Sequence, residues 1–123
     1  MPILEVEIVT TRGESLKPGL ARQLADAVGD VMGSQPGQTW VRLRALPRDQ
    51  YAENQAALPE EIQPVFVTLL KSRACAPSEL RIEVMQLCEA IARVCDRSKE
   101  NVHILYLPEA AGRMSFGGEL VTV

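Results

Sequence analysis

The sequence has few of the residues that build disulfide frameworks, zinc sites and membrane spans. Its three cysteines, Cys75, Cys88 and Cys95, show no Cys-x-x-Cys spacing, which argues against a disulfide framework and against a metal site. Cys88 and Cys95 are spaced as buried apolar residues of a helix, and Cys75 falls in a predicted loop. No apolar run approaches the roughly 18–20 residues that cross a bilayer. We therefore expect reduced thiols and no membrane span.

An excess of basic residues is also missing. The formal net charge is −3 at neutral pH, so the chain as a whole does not attract nucleic acid or an anionic membrane. The first residues include Glu5 and Glu7 and lack the basic, apolar and small-residue order of a secretion signal. These absences predict a cytoplasmic protein without a nucleic-acid or membrane partner, in which any anion site is local.

The same order of elements occurs twice along the 123 residues. The first strand is predicted by a largely period-two pattern, the strand at residues 64–71 by a strongly apolar run, and the helices by apolar stripes of period 3.6. The strand-helix-strand order covers residues 3–10, 16–32 and 39–46 in the first half and residues 64–71, 76–95 and 101–107 in the second half. A shift of 61 residues relates the halves, pairing Arg12 with Arg73, Arg42 with His103, and Pro47 with Pro108.

This repeat predicts one domain over residues 1–123. Its units cover residues 2–47 and 63–108, and the polar linker 48–62 has a short helix near 59–62. In the last segment, residues 109–123, three glycines predict a tight hairpin, namely Gly112, Gly117 and Gly118. A helical crossover within each unit implies parallel strands and a right-handed connection.

The predicted fold class is α+β: two tandem β-α-β units share a four-stranded mixed sheet with both helices on one face. The opposite face of the sheet would then stay bare. Its alternating strand residues, with Trp40 among them, are expected to be largely apolar. Because exposed apolar patches of that size mark interaction sites, we expect another subunit to cover this face.

Pro2, directly before the first strand, has two interpretations. It can simply start a strand, because its missing N–H group makes no ladder hydrogen bond. If Met1 is removed, however, the Pro2 nitrogen becomes a rigid secondary amine. An α-amino group has a pKa of about 8, and burial or a nearby guanidinium lowers the pKa of an amine towards neutrality. Such an amine suits proton transfer next to a carbonyl, and arginines beside it suit a carboxylate and a developing enolate.

Four stretches together resemble the tautomerase superfamily, in particular its 4-oxalocrotonate tautomerase (4-OT) group in a fused, two-unit form. They are PILEVEIV with Pro2, Arg12 after that strand, TWVRL with Arg42, and GRMSFGGEL near the end. The resemblance covers essentially the whole chain. It implies a homotrimer whose sheets line a central barrel, with an N-terminal proline as the catalytic group.

The resemblance also implies a cofactor-free keto–enol tautomerase or isomerase for a small carboxylated enol or dienol. Pro2 would shuttle the proton while Arg73 and Arg42 bind the carboxylate and carbonyl. Arg73 ends a strand that should run beside the first strand, near Pro2. Arg12 has the matching position in the first unit and serves either this site or a degenerate second one, in which Gln63 replaces the proline.

Further candidates for the substrate pocket rest on weaker grounds. They are Lys71, which adds positive charge, His103, which replaces the second family arginine, Tyr106, Met114, which stands where the 4-OT pattern has phenylalanine, and Phe116.

Two other functions stay open at this point. One is a non-catalytic trimer that binds a small anion or a protein. The other is a dehalogenase, hydratase or decarboxylase of the same superfamily, which needs an additional carboxylate. Residues 34–38 contain no carboxylate, and Glu119 is the only acid expected near the site.

Overall fold

Residues 2–122, which the computed structural model describes, form a four-stranded sheet, two α-helices and a two-stranded hairpin. The elements in chain order are β1 (Ile3–Thr10), α1 (Leu20–Met32), β2 (Trp40–Pro47), β3 (Val65–Leu70), α2 (Pro77–Cys95), β4 (Val102–Tyr106), β5 (Ser115–Phe116) and β6 (Glu119–Leu120). A short 3-10 helix at Arg48–Gln50 forms the start of the linker, and another at Lys99–Asn101 precedes β4.

The four long strands form a mixed sheet in the order β2-β1-β3-β4. β1 is parallel to β2, β3 is parallel to β4, and β1 and β3 are antiparallel in the centre. Ile3 therefore lies opposite both Trp40 and Leu70, and Leu69 lies opposite Tyr106. We call this end of the strands the Pro2 end. The other end of the strands, with Thr10, Pro47 and Val65, is the Thr10 end. The predicted α+β class and mixed sheet are confirmed.

Both helices pack on one face of the sheet, as the sequence predicts. Alternate residues of the two central strands point into this layer because side chains along a strand alternate between faces. The buried contacts are made by Leu4, Val6 and Ile8 of β1, Val65, Val67 and Leu69 of β3, Leu20, Leu24 and Val28 of α1, and Leu87 and Ile91 of α2. Each such side chain contributes about 1.5–3 kcal/mol when fully buried, so this single layer is the main source of stability.

The bare face of the sheet, which we call the open face, is less apolar than expected. On its β1–β2 half, Arg42 forms an ion pair with Glu5 at 2.8 Å, and Arg44 lies 4.0 Å from Glu7. The expectation of a largely apolar face was wrong for this half, because the parallel register sets each outward acid of β1 opposite an arginine of β2.

The β3–β4 half of the open face fits the apolar expectation. Phe66 stacks at 5.4 Å on the ring of His103, the residue opposite it in the register. Leu105, two residues further along β4, is 62% exposed. The open face thus combines a charged half with an apolar half.

Three local predictions can be compared with the structure. Helix α1 begins at Leu20 and not at residue 16, because Gly19 has a left-handed backbone (φ 80°) that a helix cannot continue through. Residues 59–62 form a turn closed by the Ile62 N–H and the Pro59 carbonyl, not a helix. The hairpin predicted near Gly117 and Gly118 is present as β5 and β6.

No helix in residues 2–122 is long and apolar enough to cross a bilayer.

Two glycines of the α1 region should respond in opposite ways to alanine. Gly29 lies inside α1, where an added Cβ would meet Thr39 at an ordinary 3.6 Å, so Gly29→Ala should stabilise the protein by about 0.4–1 kcal/mol. Gly33 caps α1 with φ 65°, so Gly33→Ala should cost about 1–2 kcal/mol. Urea denaturation of both variants measures these changes. Equal shifts of the same sign would contradict the left-handed cap.

Candidate active site

Pro2 is buried at the end of the sheet and is held there by its neighbours on both sides. Its carbonyl accepts a hydrogen bond from the Trp40 N–H at 3.0 Å, which extends the β1–β2 pairing by one residue. On the other side, β3 ends opposite Ile3, so the next residue of the chain, Lys71, comes beside Pro2. The antiparallel register therefore brings a cation to the start of β1.

A cavity of about 310 Å³ opens at this position. Three segments contribute its walls: the start of β1, the loop after α1, and the end of β3 with the facing side of α2. The lining residues are Pro2, Met32, Gly33, Ser34, Gln35, Gln38, Lys71, Ser72 and Glu83. We call this space the Pro2 cavity. Its walls combine one cation, one carboxylate, hydroxyl groups and side-chain amides.

The two charged residues of the Pro2 cavity are paired with each other. Lys71 Nζ donates to Glu83 Oε1 at 2.8 Å, and the side chains are only 21% and 16% exposed. The other carboxylate oxygen, Oε2, accepts from the Tyr106 hydroxyl at 2.6 Å. Both oxygens of Glu83 thus have a partner. Tyr106 itself does not line the Pro2 cavity. It borders a smaller, mainly apolar cavity of about 90 Å³, which Lys71 also lines.

Burial raises the pKa of the Tyr106 hydroxyl far above its ordinary value, and the hydrogen bond to Glu83 raises it further. The hydroxyl therefore stays protonated at neutral pH and acts as a donor to the carboxylate. This explains how one carboxylate can be held by a cation on one side and a neutral group on the other.

Glu83 was missed in the sequence prediction. It lies on the same side of α2 as three apolar residues, Leu80, Val84 and Leu87, which have the helical spacing of a buried stripe. A carboxylate inside such a stripe is unusual because burying an unpaired charge is costly. That interruption of the pattern was the available signal, and the partner that makes it acceptable is Lys71.

The predicted arginines lie at different places in one protomer. Arg73 is exposed in the turn that follows Ser72 and does not line the Pro2 cavity. Arg42 is on the open face, paired with Glu5. Of the predicted cations, Lys71 is the one that this chain brings to Pro2.

Arg12 lies at the Thr10 end, in a separate cavity of about 870 Å³ that Tyr51 and Arg48 also line. Nine residues of strand and turn separate it from Pro2, and the eight residues of β1 alone span roughly 26 Å at about 3.3 Å each. Within one protomer, Arg12 and Pro2 therefore belong to different cavities.

The remaining predicted residues are distributed around the Pro2 end and the open face. Phe116 of the hairpin meets the ring of Trp40 edge-on at 5.0 Å, and Met114 just before it is half-buried. The hairpin thus packs on the start of β2. His103 stacks on Phe66 near the Thr10 end of the open face. Neither Phe116, Met114 nor His103 lines the Pro2 cavity in one protomer.

Cys88 and Cys95 offer no second nucleophile at this site, since neither lines the Pro2 cavity. Burial raises the pKa of the Cys95 thiol to about 11 and also raises the pKa of Cys88. Since the thiolate is the reactive form, both thiols are unreactive at neutral pH.

No protein-family model matches the chain, and no curated protein matches it in sequence. Solved structures do match over nearly the full length. A macrophage migration inhibitory factor from Oncomelania hupensis is 16% identical with a TM-score of 0.73, and the match covers 98% of this chain and 97% of that one.

Two further structures extend this similarity. A fused 4-OT, described as a symmetric trimer, is 16% identical with a TM-score of 0.73 and coverage of 97% and 94%. The FG41 malonate semialdehyde decarboxylase inhibited by 3-bromopropiolate is 14% identical with a TM-score of 0.70 and coverage of 94% and 88%. At these identities the similarity concerns the fold. The chain has the fold shared by these members of the tautomerase superfamily.

Proposed function

We propose that the protein is a cofactor-independent tautomerase or isomerase that acts on a small carboxylated enol or dienol. The general base is the amine of Pro2, freed by removal of Met1. The observation that carries the proposal is the position of Pro2, which is buried against a cavity with a lysine and several neutral hydrogen-bonding groups. The fold shared with the superfamily supports the same reading.

The reaction needs one base and no redox partner. The neutral Pro2 nitrogen takes a proton from the substrate's enol hydroxyl, and the carbonyl forms as the carbon–carbon double bond shifts. The resulting prolinium returns a proton to carbon, so the net change is the movement of one proton. A base works best when its pKa lies near the working pH, and burial favours the neutral form of an amine.

The substrate carboxylate binds to Lys71 in this proposal. A lysine offers three donors, so Lys71 can keep its bond to Glu83 and still donate to a ligand. Ser72 and Gln38, which also line the cavity, can hydrogen-bond a carbonyl or hydroxyl oxygen. Arg73, two residues after Lys71, is exposed and lies outside the cavity lining of one protomer. Arg42 and Arg12 would reach a Pro2 cavity only from another subunit.

The protein is further proposed to be a homotrimer. The open face exposes Leu105 by 62% and Trp40 by 47%, and apolar surface of this kind favours contact with another chain. A matching structure is described as a trimer. The pairs of Glu5 with Arg42 and Glu7 with Arg44 leave the β1–β2 half of the same face polar, so we expect the apolar contact on the β3–β4 half.

A decarboxylase or hydratase is the second candidate, since Glu83 supplies a carboxylate in the Pro2 cavity and a decarboxylase shares the fold. Activating water means taking its proton, however, and Glu83 is already paired through one lone pair of each oxygen, with Lys71 and with Tyr106, which leaves fewer acceptor sites for a water. This occupancy favours the tautomerase. A non-catalytic trimer is the remaining alternative, and a retained Met1 in the intact mass would favour it.

Pro2→Ala should lower kcat for enol–keto conversion of a small carboxylated enol while leaving the protein folded, because it replaces the rigid secondary amine. Pro64→Ala is the matched control: Pro64 directly precedes β3, and its carbonyl, which bonds the Val9 N–H, is kept in the variant. In the wild type, kcat/KM should rise with pH through the pKa of the free amine, since only the neutral amine accepts a proton. Equal rates for Pro2→Ala and wild type would mean that Pro2 only starts a strand.

Lys71→Met should weaken binding of a small monocarboxylate by about tenfold or more, since a charge-assisted hydrogen bond is lost from a partly desolvated site. Arg73→Ala should weaken it less, and Arg12→Met should leave it unchanged because Arg12 borders the other cavity. Isothermal titration with sorbate measures all three variants. An Arg12 effect as large as that of Lys71 would show that the two ends of the sheet meet in one site across subunits.

Leu105→Glu should break the homotrimer, because it adds a charge to the apolar half of the open face. Met85→Glu is the matched control, since Met85 on α2 is 63% exposed, as much as Leu105. Sedimentation velocity should give three times the 13.5 kDa chain mass for the wild type and for Met85→Glu. A wild-type monomer at micromolar concentration would contradict the homotrimer. A Leu105→Glu variant that stays trimeric would place the subunit contact elsewhere on the chain.

A further inference from the structure

We propose that Glu83 sets the charge of the ligand that the Pro2 cavity accepts: the site takes a monocarboxylate and discriminates against a dicarboxylate. The inference rests on the proposed function for the chemistry of the substrate, but it concerns binding and can be tested without turnover. It arises from the pairing of the two charged residues that line the cavity, Lys71 and Glu83.

The charge of the cavity is the first step. Among the described residues that line it, Lys71 and Glu83 are the charged ones, and their opposite charges are 2.8 Å apart. The base form of the Pro2 amine is neutral and adds none. The cavity of one protomer therefore has no net charge before the ligand enters, although it has a clear local site for one carboxylate at Lys71.

The second step is the cost of a second carboxylate. One ligand carboxylate gains a donor from Lys71, and the neutral groups of Ser34, Gln38 and Ser72 can hydrogen-bond a carbonyl or hydroxyl. A second carboxylate in the same cavity finds no further cation among its lining residues and is repelled by Glu83. Because both side chains are largely buried, water screens this repulsion poorly.

The third step is that Glu83 is fixed in its charged, paired position. Lys71 holds Oε1 and the protonated Tyr106 holds Oε2, so the carboxylate cannot turn away when a ligand enters. A carboxylate held from two sides is a permanent part of the wall. We therefore treat Glu83 as a specificity residue and not as a base.

Sorbate and trans,trans-muconate are a matched pair of probes, since both are six-carbon dienes. Sorbate has a methyl group where muconate has its second carboxylate. The wild type should bind sorbate more tightly than muconate in isothermal titration. Glu83→Gln keeps the acceptor for Tyr106 and removes the charge, so it should shift the affinity ratio towards muconate by about tenfold, equivalent to about 1.4 kcal/mol. Glu89→Gln removes an exposed charge from the same helix and should leave the ratio unchanged.

Glu83→Leu, which fits the apolar stripe of α2, is the second variant if Glu83→Gln fails to fold, and thermal melts report on folding for both. The proposal is overturned if folded Glu83 variants keep the wild-type ratio, if the wild type prefers muconate, or if the wild type binds neither probe. The tautomerase proposal can fail separately. If the wild type discriminates between the probes as expected but has the same kcat as Pro2→Ala, Glu83 remains a specificity residue and Pro2 is not the base.

Discussion

The antiparallel pairing of β1 with β3 in the centre of the sheet is the constraint on which the rest depends. Its register puts Leu70 opposite Ile3, so the chain leaves β3 beside Pro2 and delivers Lys71 there. A slip by one residue would turn the inward side chains of β1 to the open face and break the buried layer beneath the helices. The packing of the core therefore also determines which cation faces Pro2.

Much of the fold could be predicted from the sequence because it follows local patterns. Period-two alternation identified β1, a strongly apolar run identified β3, and the three glycines near the end identified the hairpin. The features that were wrong or missed depend on what lies across the sheet or on the next element. The ion pair of Glu5 with Arg42 needs the β1–β2 register, and the role of Glu83 needs the distance between α2 and the end of β3. Neither can be read from a linear spacing.

The buried pair of Lys71 and Glu83 is better explained by the site than by stability. Desolvating two charges offsets much of their attraction, so apolar residues of similar volume often serve stability as well as or better than a buried ion pair. Removing one partner alone is different and costs about 3–5 kcal/mol, since it leaves an unpaired buried charge. A helix stripe of leucine and valine that is interrupted by a carboxylate is thus a feature that packing does not require. Its place in the lining of the Pro2 cavity gives it a reason in the proposed function.

The two ends of the sheet are related by the repeat, and their differences explain why one end is favoured as the active site. At the shift of 61 residues, Lys71 corresponds to Thr10, whose buried hydroxyl faces the Leu46 carbonyl at 3.5 Å and carries no charge. Pro2 corresponds to Gln63, whose backbone N–H donates to Asn101 at 3.2 Å within the chain. The Thr10 end thus has no terminal amine, and the residue there that corresponds to Lys71 is uncharged. These differences between the halves are why the proposed function assigns the chemistry to the end where β1 begins.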